Sequence, residues 1–524
     1  MGLIVLLALL LRIAGVSFDL PDFSFMSDEN YIFSIFLKMK QAKSINPNIM
    51  VYPALIYYVI WPISSLFKTT TRNDIVLIGR IISAISGAFS IPLLYLIAKE
   101  FFNKKIALVA SFLLATNFLH VVNSHYFKID SLGIFLGLAS FVFAARIASR
   151  QKETDYLLAG AFLGLAFAAQ YSQIFFIVPV LAAHLLFFKK KFHLRNINQY
   201  LNKKIFLFLF SFLITSFIGN SSFYLDFGKF LHSKGTFDQD VQGAIPLLSG
   251  HNIENIFWYP FYFLTSGVYY PVFLTAILGV FKLVSRKRKI ALFFLSFPAL
   301  FFLAFSFFPG GCRMDRWAIP LMPFFAIFSA LGLDWLIKSV KNKKWSLSFK
   351  KIVVISLTTI VLVIPAVRTS LFSLIISGKD TQQKVAEWLN DNYPQDQTFL
   401  AVGGVGYIGQ YLHERGFGNF ISYVPLDNDY VFQYPGELLL VSSRNYYAAR
   451  NYQEDESMGK FWQNYLTIKE KGELVKSFSH PLFRLQFFAP HILAGSSTVN
   501  QYHNPTIEIY KIPYLPELYK DEID

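Results

Sequence analysis

The sequence predicts an all-α polytopic membrane domain of about eleven transmembrane helices, followed by an external α+β domain. The chain has 524 residues, of which 54% are hydrophobic and only 15% are charged. Soluble domains usually carry about 25% charged residues. The charged residues cluster in short stretches between long apolar segments, as is typical of membrane proteins. An apolar surplus on this scale requires lipid as the solvent.

Eleven apolar segments are candidates for membrane-spanning helices. A helix that crosses a bilayer needs about 20 mostly apolar residues. The candidate segments are 2–18, 75–98, 105–123, 128–148, 156–170, 172–188, 204–221, 262–282, 290–308, 317–338 and 351–373. The first has no cationic n-region and no Ala-x-Ala cleavage site, which favours a retained span over a signal peptide.

Lysine and arginine are distributed unequally between the two sides of these segments. The loops on one side hold 23 lysines and arginines. The loops on the opposite side, between residues 124 and 316, hold four, with Lys128 counted as part of its helix. The cation-rich loops are 98–105, 146–155, 189–204, 282–289 and 338–351. Because the excess of cations is cytoplasmic in membrane proteins, these loops and the N-terminus are predicted to be cytoplasmic. The chain is then expected in the plasma (cytoplasmic) membrane, with its C-terminal domain external or periplasmic.

Residues 19–74 form one external loop in this topology, because the next span must begin outside. Within this loop, the stretch 52–67 is rich in aromatic residues and contains two prolines. That composition favours a helix lying on the outer leaflet over a span. The membrane domain is predicted to cover residues 1–377.

Beyond residue 377 the hydropathy falls, and residues 378–524 are predicted to form the external α+β domain. The runs GELLLVSS and TIEIYKI have the pattern of strands. The run DTQQKVAEWLNDNY has the pattern of an amphipathic helix, with Asp380 or Thr381 as its N-cap. The size of this region is that of one ordinary domain.

The formal net charge of +15 does not indicate a nucleic-acid partner. The cations lie at the ends of apolar segments, and no basic patch is interleaved with exposed aromatic residues. The lone cysteine, Cys312, cannot form an internal disulfide, and no Cys/His zinc pattern surrounds it. Membrane lipid is therefore the partner that the composition predicts.

Two adjacent carboxylates, Asp28 and Glu29, lie between apolar residues in the first external loop. An acid close to the membrane surface is partly desolvated, which suits it to general-base catalysis. The alternative is a helix N-cap, in which Ser27 or Asp28 caps the run NYIFSIFLKM. One residue can serve both purposes.

Three arginines lie near the outer ends of spans. Arg80 falls within an apolar segment, where an arginine is costly and usually faces a cavity or a partner. Its alternative is to extend to the membrane interface. Arg313 and Arg316 lie on the side that is otherwise poor in cations. Two interpretations of these arginines stay open. They bind an anionic ligand such as phosphate, which arginine holds in a forked geometry, or they belong to a solvated turn.

Four further ionisable residues fall within the run HVVNSHYFKID at another outer boundary. They are His120, His125, Lys128 and Asp130. Two histidines and an aspartate suggest a metal site, but the histidines are five residues apart and do not share a helix face. Hydrogen bonding to a polar head group, or solvation at the interface, is the favoured interpretation. Whether a divalent metal is needed stays open.

Five stretches, in this order, resemble a known family. They are SDENY, INPNIMVYPALIYYV, GRIISAISGAFSIPLLYLIAKEFF, HVVNSHYFKIDSLGIF with AGAFLGLAFAAQYSQIFFIVP, and RWAIPLMPFFAIFSALGLDWL. The arrangement resembles the protein O-mannosyltransferase-like group of GT-C glycosyltransferases, which use polyprenyl-phosphate sugars. That group includes bacterial aminoarabinose-to-lipid A transferases and lipopolysaccharide-core sugar transferases.

The resemblance implies inverting sugar transfer on the non-cytoplasmic face, from a polyprenyl-phosphate donor to the hydroxyl of a glycan, lipid or protein acceptor. On that basis Asp28 deprotonates the acceptor, and Glu29 supports the acceptor site or orients Asp28. Cations would hold the leaving phosphate, and Asp130 would bind substrate. The substrate-binding residues expected are Arg80, His120, His125, Lys128, Asp130, Arg313 and Arg316.

A transporter or flippase of a lipid-linked or anionic solute is the alternative function. It would use the same intramembrane cations. The sequence shows no inverted repeat and no matching pair of Gly/Pro-broken helices, which many transporters contain. A catalytically inactive scaffold is a third interpretation. The presence of both acids, Asp28 and Glu29, argues against it.

Overall fold

The computed structural model divides the chain into two compact units. One contains Met1–Val16 and Met26–Leu374, and the other contains Ser17–Phe25 and Ile375–Asp524. The residues that the structure describes are 1–18, 20, 27–48, 52–187, 201–228, 268–307, 315–402, 406–422, 426, 429–443, 456–479 and 506–515.

The described part of the first unit is helical. Its α-helices are α1 (Gly2–Ile13), α2 (Ser27–Gln41), α3 (Leu55–Leu66), α4 (Arg72–Phe101), α5 (Lys104–Ala115), α6 (Phe118–Asn123), α7 (Ile129–Arg150), α8 (Glu153–Ala169), α9 (Ile177–Leu186), α10 (Lys203–Gly219), α11 (Ser221–Leu225), α12 (Tyr270–Arg286), α13 (Arg288–Phe307), α14 (Met322–Lys341), α15 (Leu347–Thr358) and α16 (Ile364–Ile376). The 3₁₀ segments Tyr171–Phe176 and Asp315–Leu321 precede α9 and α14, and the π-helical turn Thr359–Val363 joins α15 to α16.

Each of the eleven apolar segments contains a helix in its described part. By length and composition alone, four helical stretches of the described chain are able to cross a membrane. They are Arg72–Phe101, Ile129–Arg150, Ala318–Lys341 and Leu347–Asn392. The total of eleven spans stays a prediction.

The segment 105–123, expected as one helix, is two. Helix α5 ends at Ala115, and α6 begins after Asn117, whose side chain accepts a hydrogen bond from the backbone N–H of His120. The buried Arg12 of α1 donates to the carbonyl oxygen of Ala115 at 3.1 Å. Because the end of a helix leaves carbonyl groups without partners, this arginine stabilises the break.

Small residues allow α8 and α10 to approach each other closely. Gly160 and Gly164 lie one turn apart on α8, and a Cβ atom added at Gly160 would lie 2.1 Å from the carbonyl oxygen of Phe208. Across the same contact, the hydroxyl of Thr215 donates to the carbonyl oxygen of Ala161 at 2.9 Å. Small residues four apart and interhelical hydrogen bonds are the usual means by which helices associate in lipid.

Gly160→Ala is expected to lower the melting temperature of the purified protein. The added methyl group meets backbone and cannot be accommodated by a rotamer change, and overpacking of this kind costs about 1–3 kcal/mol. Thermal unfolding in detergent measures the effect. Gly2→Ala is the matched control, because a Cβ atom there meets nothing within 4 Å. Equal melting temperatures for the two variants would contradict this account of the packing.

Helix α3 is short and amphipathic. Ile56, Tyr57 and Ile60 are buried on one face, whereas Leu66 and Phe67 at its end are exposed. Its 12 residues are too few to cross a bilayer. Its location on the outer leaflet stays a prediction.

The second unit contains a five-stranded mixed sheet in the order β2-β1-β3-β5-β4. The strands are β1 (Phe399–Ala401), β2 (Phe420–Ser422), β3 (Leu438–Ser442), β4 (Glu473–Phe478) and β5 (Ile507–Lys511). Strand β1 is parallel to β2 and β3, and β5 is antiparallel to β3 and β4. Both strands predicted from the sequence, now β3 and β5, are present.

Helices cover both faces of this sheet. Helices α17 (Thr381–Asn392) and α18 (Gly406–His413) pack on one face with Phe399 and Leu440, and α19 (Glu456–Lys471) packs on the other with Leu439. The alternation of buried residues along β3 gives each face its own apolar core. Helix α17 begins as predicted, because the Asp380 carboxylate accepts a hydrogen bond from the backbone N–H of its second residue.

Candidate active site

Three consecutive polar side chains position the first turn of α2. Asp28 forms an ion pair with Lys128, Glu29 pairs with Arg80, and the side-chain oxygen of Asn30 accepts two hydrogen bonds from Arg72. The helix begins at Ser27, so both carboxylates lie in its first turn. The start of α2 is thereby attached to α4 and to the segment that precedes α7.

The Glu29–Arg80 pair is fully buried. The guanidinium donates from Nε and Nη2 to the two carboxylate oxygens, each at 2.8 Å, and both side chains are 0% exposed. The backbone N–H of Phe127 also donates to Glu29, at 2.8 Å. Gly79 makes room for this approach, since a Cβ atom there would lie 2.1 Å from the Phe127 ring. Glu29 therefore holds the residue directly before Lys128.

Asp28 presents its carboxylate at the edge of a cavity. The Tyr52 hydroxyl donates to Oδ1 at 2.8 Å, and Lys128 Nζ lies 3.3 Å from Oδ2. The Asp28 side chain is 16% exposed. Each carboxylate oxygen therefore has a polar contact, and the group keeps access to a bound molecule.

The cavity has a volume of about 180 Å³. Its walls come from the first turns of α2, the segment before α3, the start of α7 and the turn between α8 and α9. The lining residues are Asp28, Ile32, Tyr52, Pro53, Lys128, Ile129, Asp130, Gln170, Tyr171 and Ser172. Among them, three residues predicted from the sequence are brought together: Asp28, Lys128 and Asp130.

Polar contacts also fix the wall that carries Tyr52. The side-chain oxygen of Asn220 accepts a hydrogen bond from the backbone N–H of Ala54 at 3.2 Å. The Asn220 amide group donates to the Tyr171 hydroxyl at 3.3 Å. Burial raises the pKa of Tyr171, so its hydroxyl keeps its proton. One asparagine therefore joins two walls of the cavity.

The two predicted histidines contact residues at the end of α1 and just after it, and their substrate contacts stay predictions. The His120 ring accepts at Nδ1 from Arg12 Nη2 at 2.9 Å, and the His125 ring nitrogens contact the backbone oxygens of Val121 and Ala14. Burial lowers the pKa of His125 to about 4, and its two carbonyl contacts oppose that effect in part. Neither histidine belongs to the described lining of the cavity.

The remaining predicted residues contribute differently. Arg80 contacts Glu29, a pairing that was not predicted. Arg313, and the side chain of Arg316, lie outside the described residues, so their roles stay predictions. In the described part of the chain, no group of three or more His, Cys, Asp or Glu side chains is placed to hold a metal ion.

Seven residues of the cavity lining were not among those predicted, and four of the seven have neutral polar side chains. These four are Tyr52, Gln170, Tyr171 and Ser172. Each lies in a stretch that carried the family resemblance, but neutral polar side chains in apolar surroundings give no charge signal. Their participation depends on where the helices end, which the structure shows.

Comparisons with known proteins agree with this architecture. Residues 51–215 match the family model described as dolichyl-phosphate-mannose-protein mannosyltransferase, which confirms the predicted resemblance over that part of the chain. The curated proteins give no significant match.

Solved structures are similar over most of the chain. An Archaeoglobus fulgidus oligosaccharyltransferase tethered with an acceptor peptide is 14% identical, with a TM-score of 0.51 over 92% of this chain and 72% of that one. The same organism's AglB with an inhibitory peptide and a dolichol-phosphate is 13% identical, with a TM-score of 0.50 over 92% and 72%. ArnT from Cupriavidus metallidurans bound to undecaprenyl phosphate is 14% identical, with a TM-score of 0.49 over 86% and 94%.

The oligosaccharyltransferase structures show that the chain has the expected GT-C fold. Together with the apolar helices, this makes the chain an integral membrane protein.

Proposed function

We propose that the chain is an inverting glycosyltransferase that moves a sugar from a polyprenyl-phosphate carrier to an acceptor hydroxyl. One observation carries the proposal: the Asp28 carboxylate lines a polar cavity and is oriented there by the Tyr52 hydroxyl and Lys128. A positioned carboxylate with access to a bound molecule is the arrangement that a general base requires.

In the proposed reaction, the acceptor oxygen attacks the anomeric carbon of the donor sugar from the face opposite the phosphate. A new carbon–oxygen bond forms as the bond from the anomeric carbon to the phosphate oxygen breaks. The bonding electrons leave with polyprenyl phosphate, and Asp28 accepts the acceptor proton. Because the nucleophile arrives opposite the leaving group, the anomeric configuration inverts.

The leaving phosphate needs positive charge close to it. Lys128 lines the cavity and pairs with Asp28 in the structure. When Asp28 accepts a proton it loses its charge, so the ammonium group becomes available to the phosphate in the same cavity. Arg313 and Arg316 are proposed to assist it, since arginine binds phosphate oxygens in a forked geometry. Arg80 is proposed to position α2 through Glu29 instead.

The predicted topology supports a reaction on the non-cytoplasmic face. Residues 28–32, 52–53, 128–130 and 170–172 line the cavity. The first two ranges lie in the predicted external loop 19–74, and the other two lie at segment ends that the cation distribution assigns to the outside. We propose eleven spans, a cytoplasmic N-terminus, and an external second unit on the plasma membrane. Residues 1–377 and 378–524 are the proposed domains.

The comparisons support the class of donor. The matched family model is named for a dolichyl-phosphate sugar donor, and the AglB structure contains a dolichol-phosphate.

The test is sugar transfer by the purified chain in lipid and detergent with a panel of polyprenyl-phosphate sugars. Release of free polyprenyl phosphate that depends on an added acceptor would support the proposal and identify the donor. If the chain instead moves intact donor across liposomes without cleavage, the transporter alternative is correct and the proposal fails.

Tyr52→Phe is expected to lower kcat about tenfold with little change in the donor KM. A hydrogen bond to a charged group contributes about 1.5–3 kcal/mol, and this one holds Asp28 in its reactive position. Steady-state kinetics with the best donor measure both constants. Tyr58→Phe is the control, because the Tyr58 hydroxyl contacts Ser221 at 3.3 Å. A raised KM with unchanged kcat would instead assign Tyr52 to donor binding.

A further inference from the structure

Gln170 lies where α8 ends at the cavity. Its backbone is extended, with φ of −156° and ψ of 121°, so the helix stops and the side chain is free to turn toward α7. There its amide nitrogen donates to Asp130 Oδ1 at 2.7 Å, and its amide oxygen accepts from Gln173 Nε2 at 2.6 Å. Both Gln170 and Asp130 line the cavity.

The orientation of the Gln170 amide follows from its two neighbours. An ionised carboxylate only accepts hydrogen bonds, so the NH₂ group of Gln170 has to face Asp130. The oxygen then faces Gln173, which is 0% exposed and offers its own NH₂ group. The opposite orientation would set oxygen against oxygen on one side and nitrogen against nitrogen on the other.

Close packing against α7 further restricts the conformations open to the Gln170 side chain. A Cβ atom added at Gly133 would lie 3.0 Å from Gln170 Cβ and 3.1 Å from its Oε1. The side chain therefore rests directly on the helix backbone one turn after Asp130. A group that is fixed before its ligand arrives loses little freedom on binding.

The pair presents a hydrogen-bond acceptor beside a donor. The carboxylate of Asp130 has acceptor capacity beyond its bond to Gln170, and the Gln170 NH₂ group carries two N–H donors, of which this bond uses one. One hydroxyl group can donate to the carboxylate while its neighbour accepts from the amide. Adjacent hydroxyl groups on a sugar ring offer this pattern.

We propose that Asp130 and Gln170 form a subsite that binds adjacent hydroxyl groups of a sugar ring. The inference rests on the proposed function, and it makes Gln170 a specificity-determining residue of that reaction. The ring belongs either to the donor or to the acceptor, since both carry such hydroxyl pairs. A site built around hydrogen bonds to hydroxyl groups rejects an analogue that lacks one, because its own polar groups are then left without partners.

The test compares donors that lack one ring hydroxyl with the parent polyprenyl-phosphate sugar. For the wild-type chain, kcat/KM is expected to fall at least about a hundredfold for the analogue that lacks a bound hydroxyl. Gln170→Ala is expected to reduce that discrimination to less than about tenfold. Gln170→Asn, which withdraws the same amide by one methylene group, serves as a second variant should the first fold poorly.

Gln397→Ala is the matched control. Gln397 Nε2 donates to Glu437 Oε2 at 2.7 Å, the same kind of bond at the same length, in the second unit. It is expected to leave the discrimination unchanged. A parallel series uses octyl glycosides and their deoxy analogues as acceptors.

The outcomes separate the inference from the proposed function. If the Gln170 variants lose discrimination between the parent donor and its deoxy analogue, the subsite binds the donor sugar. If they lose it in the acceptor series, the subsite binds the acceptor. Transfer whose discrimination is the same in wild type and both Gln170 variants overturns the subsite and leaves the proposed function standing. Calorimetry measures the equilibrium binding of the same donors to wild type and to the Gln170 variants. Gln170-dependent discrimination in binding without any transfer would support the subsite and overturn the glycosyltransferase.

Discussion

Asp28→Asn is expected to lower the rate of sugar transfer by about 10²–10⁴-fold, the usual contribution of a general base. The amide has nearly the same size as the carboxylate but cannot accept the proton of the acceptor hydroxyl. The cavity walls should persist, because Glu29 and Asn30 still attach the start of α2 to Arg80 and Arg72. Turnover is measured as release of polyprenyl phosphate, and donor affinity is measured by equilibrium binding.

The matched control is Asp334→Asn. Asp334 also pairs with a lysine, since Lys338 Nζ lies 2.7 Å from its carboxylate, but it is on α14 and does not line the cavity. This variant should transfer sugar at the wild-type rate. Equal rates for Asp28→Asn and Asp334→Asn would remove Asp28 from the chemistry.

Glu29→Gln is expected to lower the free energy of unfolding by about 3–5 kcal/mol, the usual cost of breaking a buried ion pair by removing one partner. The neutral amide leaves the buried guanidinium of Arg80 without its counter-charge, and its NH₂ group faces donors. Transfer should fall as well, because Glu29 holds the segment that carries Lys128. The melting temperature in detergent is the primary measurement.

Two further variants sharpen this prediction. Glu153→Gln breaks an ion pair of similar length between Glu153 and Lys203, whose side chains are 47% and 72% exposed, respectively. Because solvent screens exposed ion pairs, this variant should change the melting temperature little. Replacing both buried residues, as Glu29→Leu with Arg80→Met, should recover part of the lost stability, since no unpaired charge remains. A melting temperature for Glu29→Gln as high as that of Glu153→Gln would show that the buried pair does not anchor α2.

The sequence predicted the helical architecture because its signals are local. Long apolar runs and the cation-rich loops between them are visible without any knowledge of contacts, and each of the eleven segments contains a helix. The same holds for α17, whose cap and apolar face follow from neighbouring residues. Breaks within apolar runs were harder to predict, because the one after Ala115 is stabilised by Arg12, 103 residues away in the chain.

The candidate site was predicted in part for a related reason. Charged residues at the outer ends of apolar runs stand out, and Asp28, Lys128 and Asp130 were found in this way. Charge alone does not say which groups pair, so the ion pair between Arg80 and Glu29 was not predicted. Gln170 carries no charge, so its contact with the cavity could not be predicted from charge. The structure shows it through the hydrogen bond from the Gln170 amide to Asp130.

The central claim is that Asp28 accepts a proton as the sugar leaves its carrier with inversion. The most direct test is a single turnover of a donor carrying ¹³C at its anomeric carbon, followed by NMR with wild type and Asp28→Asn at equal donor occupancy. The account predicts a wild-type product of inverted anomeric configuration and free polyprenyl phosphate, with neither formed by the variant on that timescale. A product of retained configuration, or equal product from both proteins, would contradict it.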